Sequence, residues 1–488
     1  MRRMKSRLTH AVLVLLLTLV PLGQSATALD TDLPDLGHSA GSIMTPKQER
    51  ELGRAFMRNV RQNQAVLDDP LITDYIQQLG ARLVAHSDGA SQNFTFFVID
   101  NPEINAFAGP AGHIGVYTGL ILTTETESEL AAVLAHEIAH VTQQHLMRAW
   151  ETASNMQIPN AAILLAAIAL GAAAGGDAGI AAAVGGQAAL LQEQINFTRA
   201  NEKEADRIGI DILAKSDFET RALPAFFSRM GKANQFYATE IPEFLLTHPV
   251  TTNRIADALG RADNYPYHQQ ANDLRYQLIR TRLQGRNLPN PNAAVTDYER
   301  LLKSGRYRSR TAMEYGRALA LVRANRLQEA NKAVQELLKK TPKVTEFIVT
   351  KASIEARLDQ TDKALARLRE AVLEKPSSYA LNLAYGEVAV AQEEYVAALR
   401  QLEDYVQYND GDPRVYQLMS IAAGEQGDRL KAHRLLAEHH YLNGDLEAAI
   451  LQLEIASKQA GGSFYDASRV ESRLKTLQEE LATKEARE

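Results

Sequence analysis

His136, Glu137 and His140 form a His-Glu-x-x-His pattern within Leu134-Ala135-His136-Glu137-Ile138-Ala139-His140. On an α-helix, residues four apart differ by about 40° in direction, so the two imidazoles project from one face, a turn apart. Each can then place a nitrogen about 2.0–2.1 Å from one zinc ion. Glu137 follows the first ligand and can reach a water on the metal without binding the metal. The chemistry is peptide hydrolysis: a bound zinc lowers the pKa of its water, and Glu137 accepts the proton as the oxygen attacks a carbonyl. One Zn2+ per chain is the expected cofactor.

Such a site needs a third ligand. His145 is nine residues from His136, about 900° around a helix and half a turn out of phase, so it is expected to point away as a surface histidine. Asn201-Glu202-Lys203-Glu204-Ala205-Asp206 opens a second amphipathic helix that carries Ile208, Ile210 and Leu213. Glu202 and Asp206 are four apart and share a face. Glu202 is expected to ligate the metal, and Asp206 to accept a hydrogen bond from a ligand imidazole, fixing its tautomer. Glu204 as ligand would leave Asp206 about 200° away. The resulting N,N,O donor set favours zinc among divalent ions.

These side chains must be held by a mainly helical α+β domain. Thr126-Glu127-Ser128-Glu129 fits a helix capping box, and Leu130, Val133, Leu134 and Val141 follow at helical spacing. Phe94 to Ile99 reads as a strand, and Ile114 to Tyr117 as another after the Pro110-Ala111-Gly112 turn. The metallopeptidase domain with its small sheet is expected over residues 29–268. Residues 269–306 are polar, carry Pro289-Asn290-Pro291-Asn292 and are expected to be a connector. Residues 307–488 are expected to be all-α. Ala330, Ala364, Ala398 and Ala432 recur every 34 residues, as do Pro342 and Pro376, the period of a tetratricopeptide helical hairpin. Arg434 to Lys458, centred on Asn443-Gly444-Asp445, reads as one more hairpin. The peptidase unit is expected to fold without the repeats, on a core of its own.

Residues 1–28 read as a signal peptide cleaved after Ala28: Arg2, Arg3, Lys5 and Arg7, a short apolar run from Ala11 to Val20, then Ala26-Thr27-Ala28. Its removal takes away four basic and no acidic residues, moving the formal charge from −6 to −10. That balance argues against nucleic acid or an anionic lipid surface as the main partner. There are no cysteines, so disulfides and thiolate metal sites are excluded. The periplasm is the expected compartment. Residues 158–191 are almost all Ala, Gly, Ile and Leu, broken by Asp177. They fall short of the roughly 20 apolar residues of a spanning helix. They read as two buried helices, or as an apolar flap that makes peripheral contact with a membrane.

The His-Glu-x-x-His helix followed by Glu202-Lys203-Glu204-Ala205-Asp206 resembles the zinc metallopeptidase family of the CAAX-prenyl endopeptidases and HtpX-type proteases. Asn105-Ala106-Phe107 with Pro110, Gly112 and Gly119 resembles that family's segment before the active helix. Thr247-His248-Pro249 with Arg254-Ile255 resembles its segment after the third ligand. Ala111 is a departure, since many relatives have glycine there. Nearly all of the mature chain resembles soluble periplasmic members with a repeat domain. This implies a role in outer-membrane quality control, on unfolded or misassembled β-barrel proteins. The repeats would then engage the barrel-assembly machinery. The resemblance also implies that substrate binds as an extended strand along Asn105, Ala106 and Phe107, read through its main chain.

Pro249 disfavours helix at His248, which alone reads as a loop histidine. The resemblance sets it beside the zinc, with two alternative jobs. It could donate to the developing oxyanion, or fill the open fourth position and hold the enzyme latent; the second suits a protease surrounded by unfolded precursors. A chaperone or scaffold with a latent or vestigial metal site is the competing function. Intact Glu137, Glu202 and Asp206 favour catalysis.

Overall fold

A computed structural model describes residues 45–90, 92–149, 188–236, 243–268, 273–286, 288–409, 412–459 and 464–485. The stretch 1–28, expected as a signal peptide, and most of the apolar stretch 158–191 lie outside them. No described helix is long and apolar enough to cross a membrane.

Thr45 and Gln48 form a reciprocal capping box that starts α1 (Pro46–Asn63). Asp69 caps α2 (Pro70–Val84), which has proline at its first position. Three strands follow: β1 (Thr95–Ile99), β2 (Ala106–Ala108) and β3 (His113–Tyr117). The order is β1-β3-β2, with β3 parallel to β1 and antiparallel to β2. The turn between β2 and β3 holds Ala111 at φ 55 and Gly112 at φ 74. Left-handed backbone suits glycine and costs alanine roughly 1 kcal/mol, the physical content of the departure at Ala111.

After α3 (Thr118–Thr123) comes α4 (Glu127–Thr142), buried all along from Glu127 to Ala139. Thr126 caps it by accepting from the Glu129 amide at 3.2 Å. The Glu129 carboxylate accepts from the Glu125 amide and from Arg229, so the return bond of the capping box is displaced by one residue. Around α4 pack α2, the sheet, α5 (Ala188–Lys215) and α6 (Ala222–Phe236), while α8 (Thr252–Ala262), preceded by the short α7 (Glu243–Thr247), packs on α5 and α6.

The stretch 269–306, expected as a connector, holds α9 (Leu274–Arg286) and α10 (Pro291–Ser304). One face of α9 belongs to the peptidase core: Tyr276, Ile279 and Leu283 are buried there. The Tyr276 hydroxyl donates to the Thr124 carbonyl at 2.8 Å. Leu278, on the other face, belongs to the first repeat core.

The repeats alternate α11 (Arg310–Arg323), α12 (Leu327–Lys340), α13 (Thr345–Arg357), α14 (Thr361–Glu374), α15 (Tyr379–Ala391), α16 (Tyr395–Val406), α17 (Pro413–Glu425) and α18 (Arg429–Asn443). The second helix of each pair starts 34 residues after the last, and its fourth residue is the recurring alanine. Ala330, Ala364 and Ala398 are fully buried, because a larger side chain would hold the paired helices apart. The turn before each is left-handed at Asn325, Asp359, Glu393 and Gly427, again 34 apart. The Asn443-Gly444 turn joins α18 to α19 (Leu446–Ser457), and α20 (Phe464–Glu485) follows.

The arc of repeats returns to the start of the chain. Arg61 of α1 donates to the Leu442 carbonyl at 2.7 Å and Gln62 to that of Gly444 at 2.8 Å. Arg58 pairs with Glu480 and lies over the Tyr441 ring. On α2, Asp74 accepts from Ser378 at 3.0 Å, and Asp69 accepts from Arg282 of α9.

Candidate metal centre

α4 and α5 cross closely. A Cβ on Gly209 would stand 3.2 Å from the His136 amide nitrogen and 3.3 Å from its Cα, tighter than side chains normally pack. Glycine therefore lets α5 bring Glu202 and Asp206 up to the α4 histidines.

His136 Nε2 lies 3.1 Å from His140 Nε2 and 3.3 Å from His248 Nδ1. Glu202 closes the group, with Oε2 3.4 Å from His136 Nε2, Oε1 3.4 Å from His140 Nε2 and both oxygens 3.1 Å from His248 Nδ1. One donor atom from each of the four residues lies within 4.8 Å of the others. A tetrahedron with corners about 2.0–2.1 Å from its centre has edges of about 3.3–3.4 Å, close to these separations.

His136 Nδ1 stands 3.1 Å from Asp206 Oδ1, a contact too bent for a full hydrogen bond but close enough to favour a proton on that nitrogen. Its Nε2 then faces the His140 Nε2 and a carboxylate, where either a proton or a cation must stand. Burial disfavours charge on His136, yet Asp206 and Glu202 outweigh it and push its pKa up to about 10. Burial pushes His140 down to about 4. Burial would raise Glu202, but the His248 charge and bonds to three imidazoles hold it well below the usual carboxylate range. The carboxylates thus draw positive charge into the cluster, which a divalent ion supplies without crowding four donors around one proton.

Glu137 is buried beside this group. Its Oε1 makes no hydrogen bond among the described residues, although His248 Nε2 is 3.4 Å away. A carboxylate oxygen left open next to a metal position can accept a proton from a water there. His248 is placed by α7, where its amide donates to the Phe244 carbonyl at 2.8 Å and its ring packs on the Phe244 ring. The Phe244 amide donates to the Ile104 carbonyl, tying this segment to the residue before Asn105.

Arg254 links these parts, and residue reasoning gave it no role. Its Nε and Nη2 donate to the two Asp206 oxygens at 2.8 Å each. Its Nη1 lies 2.8 Å from Glu202 Oε2 and donates to the Pro249 carbonyl. A cation in the first turn of α8 opposes the helix dipole, and that oddity was the available signal. Arg254→Ala strips the guanidinium from two buried carboxylates, leaving Asp206 only its bent contact with His136, and is expected to destabilise the metal-free protein by about 3–5 kcal/mol. Denaturant unfolding checks this; a loss under 1 kcal/mol would mean that water replaces the guanidinium.

His145 departs from its expected place. α4 ends at Thr142, and Gln144 at φ 53 interrupts the helix, so helical phase no longer applies. His145 is buried, with Nδ1 2.9 Å from His140 Nδ1 and Nε2 3.1 Å from Glu204 Oε2. At the sheet, β2 is an edge strand. The Asn105 carbonyl and the Gly109 amide bond to β3, so by alternation Ala106 and Ala108 turn their main-chain groups to the other side. The Phe107 ring is core, packed over Gly115 and against Phe56, Phe97 and Tyr117. Asn105 is fully buried, and neither polar atom of its amide has a partner among the described residues.

Residues 70–262 match Peptidase family M48, and residues 287–344 and 356–421 match tetratricopeptide repeats. The chain is 34% identical to the beta-barrel assembly-enhancing protease of Yersinia pestis, covering 91% of each chain. It is 35% identical to that of Escherichia coli strain K12, covering 95% of each. A putative beta-barrel assembly-enhancing protease of Vibrio cholerae is 38% identical, over 81% of this chain and 82% of that one.

Proposed function

The chain belongs to peptidase family M48, with tetratricopeptide repeats behind its metallopeptidase domain, and from that premise we propose a periplasmic zinc endopeptidase that hydrolyses misfolded or stalled outer-membrane β-barrel proteins. The observation that carries the reading is the four-donor cluster with the open Glu137 oxygen at its side. His136, His140 and Glu202 would hold the ion, and Asp206, itself clamped by Arg254, would orient His136. The bound zinc would supply Lewis acidity and an acidic water. Glu137 takes the proton of the attacking water and returns it to the leaving amine. Substrate is read as an extended strand along the outer edge of β2. The substrate class and compartment rest on the relatives' names and on the leader-like residues 1–28. Incubating a misfolded barrel protein with the enzyme, with and without a chelator, tests the reading. Cleavage that survives complete removal of metal would refute it.

A second reading, a repeat-bearing chaperone with its site shut, is favoured by His248. Its Nδ1 lies 3.3 Å from His136 Nε2 and 3.1 Å from both Glu202 oxygens, so beside a bound ion it would compete with the attacking water. We reconcile the two by assigning His248 as a latch: the site is latent until the 244–254 segment moves. If about a tenth of the molecules are open at rest, His248→Ala is expected to raise cleavage about tenfold. A fall of about 100-fold would identify an oxyanion donor instead. Cleavage of a quenched peptide reads the sign.

A further inference from the structure

The two histidines of α4 are supported differently. His136 has a carboxylate behind it. His140 has another imidazole, His145, at 2.9 Å between the Nδ1 atoms, with the ring planes nearly perpendicular. The direction of that bond follows from the cluster. His140 turns Nε2 into the four-donor group, so its proton sits on Nδ1 and is donated to His145 Nδ1. His145 must therefore carry its own proton on Nε2, which faces Glu204 Oε2 at 3.1 Å. Glu204 also accepts from Arg148 at 2.9 Å. The chain of bonds is consistent at every link, with no two donors or two acceptors facing each other.

The backbone is shaped for it. Gln144 adopts a left-handed conformation that is unfavourable for any side chain. That residue breaks the phase of α4 and brings His145 back under His140, where continued helix would have turned it away. Such a conformation beside a site persists when the surroundings hold it there.

We propose that His145 is a positioning residue of the metal centre: through Nδ1 it fixes the tautomer and ring plane of His140, and Glu204 fixes His145 in turn. The proposal deepens the metallopeptidase reading and rests on it. His145 touches no substrate and no metal. Its effect is on how well His140 is preset as a ligand.

The test uses full-length protein, zinc affinity by chelator competition, and the electronic spectrum of the Co2+-loaded form. His145→Phe keeps the ring's bulk and removes the acceptor; affinity is expected to fall about 10–100-fold, with a changed Co2+ spectrum. His145→Asn places Oδ1 where Nδ1 stood and is expected to recover affinity to within about threefold of the unaltered protein, since an amide oxygen accepts the same bond. Glu204→Ala, at a part-exposed position, is expected to weaken binding about threefold or more, and it decides the matter if His145→Phe does not fold. Unaltered affinity and spectrum in His145→Phe, or in Glu204→Ala, would overturn the proposal, as would His145→Asn binding no better than His145→Phe. Failure of the unaltered protein to bind zinc at all would instead overturn the metallopeptidase reading.

Discussion

Glu137→Gln is expected to lower peptide-bond cleavage by about 10²–10⁴-fold while leaving metal content unchanged. The amide keeps the shape of the side chain but cannot take a proton from water. The four donor atoms belong to other residues, so the metal position itself is untouched. Single-turnover cleavage of a quenched peptide, with metal content measured on the same sample, separates the two effects. Wild-type cleavage by this variant would remove Glu137 from the mechanism. Loss of metal would mean that Glu137 acts through the donors and not on water.

A chain ending at residue 268 is expected not to fold, whereas one ending at 286 should unfold cooperatively. The matched peptidase profile stops at 262, but the core runs on through Tyr276, Ile279 and Leu283. Losing an aromatic and two aliphatic core side chains costs about 3–5 and 2–5 kcal/mol each. The sum is comparable to the whole stability of a typical domain, about 5–15 kcal/mol. The independent folding unit expected from the sequence therefore has to include α9. Urea unfolding of both chains is the measurement, and equal cooperative transitions would show that α9 is dispensable.

The residues that were easiest to find are those whose spacing is fixed by chemistry within one helix. His136 and His140, and then Glu202 and Asp206, are each four apart, a spacing that sets two groups on one helical face. The alanines of the repeats were legible for a related reason: close helix pairing repeats wherever the hairpin repeats. Positions set by tertiary closure were not legible. His248 entered only through the family resemblance, because what brings it to Glu202 is the tie of Phe244 to the distant Ile104 and the bond of Arg254 to Pro249. His145 was misplaced because Gln144 turns left-handed with no glycine or proline to mark the turn. β2, with three residues, is too short to show alternation. α9 looked like a linker because arginines crowd its sequence, while its three core residues are spaced at i, i+3 and i+7 on the hidden face.

The seat of α1 on the last repeats has a consequence for the order of maturation. Arg61 meets Leu442 across 381 positions, and Arg58 meets Glu480 across 422. A chain is made from its N-terminus, so α1 exists long before the surface that receives it. The four donors span only residues 136 to 248 and can assemble while the repeats are still being made. A molecule that folds in that order would have its four donors together before the frame closes. A guard formed by a late repeat would come too late for that stage. His248 stands 112 positions from His136, so the latch proposed there is synthesised with the site and guards it from the moment it forms.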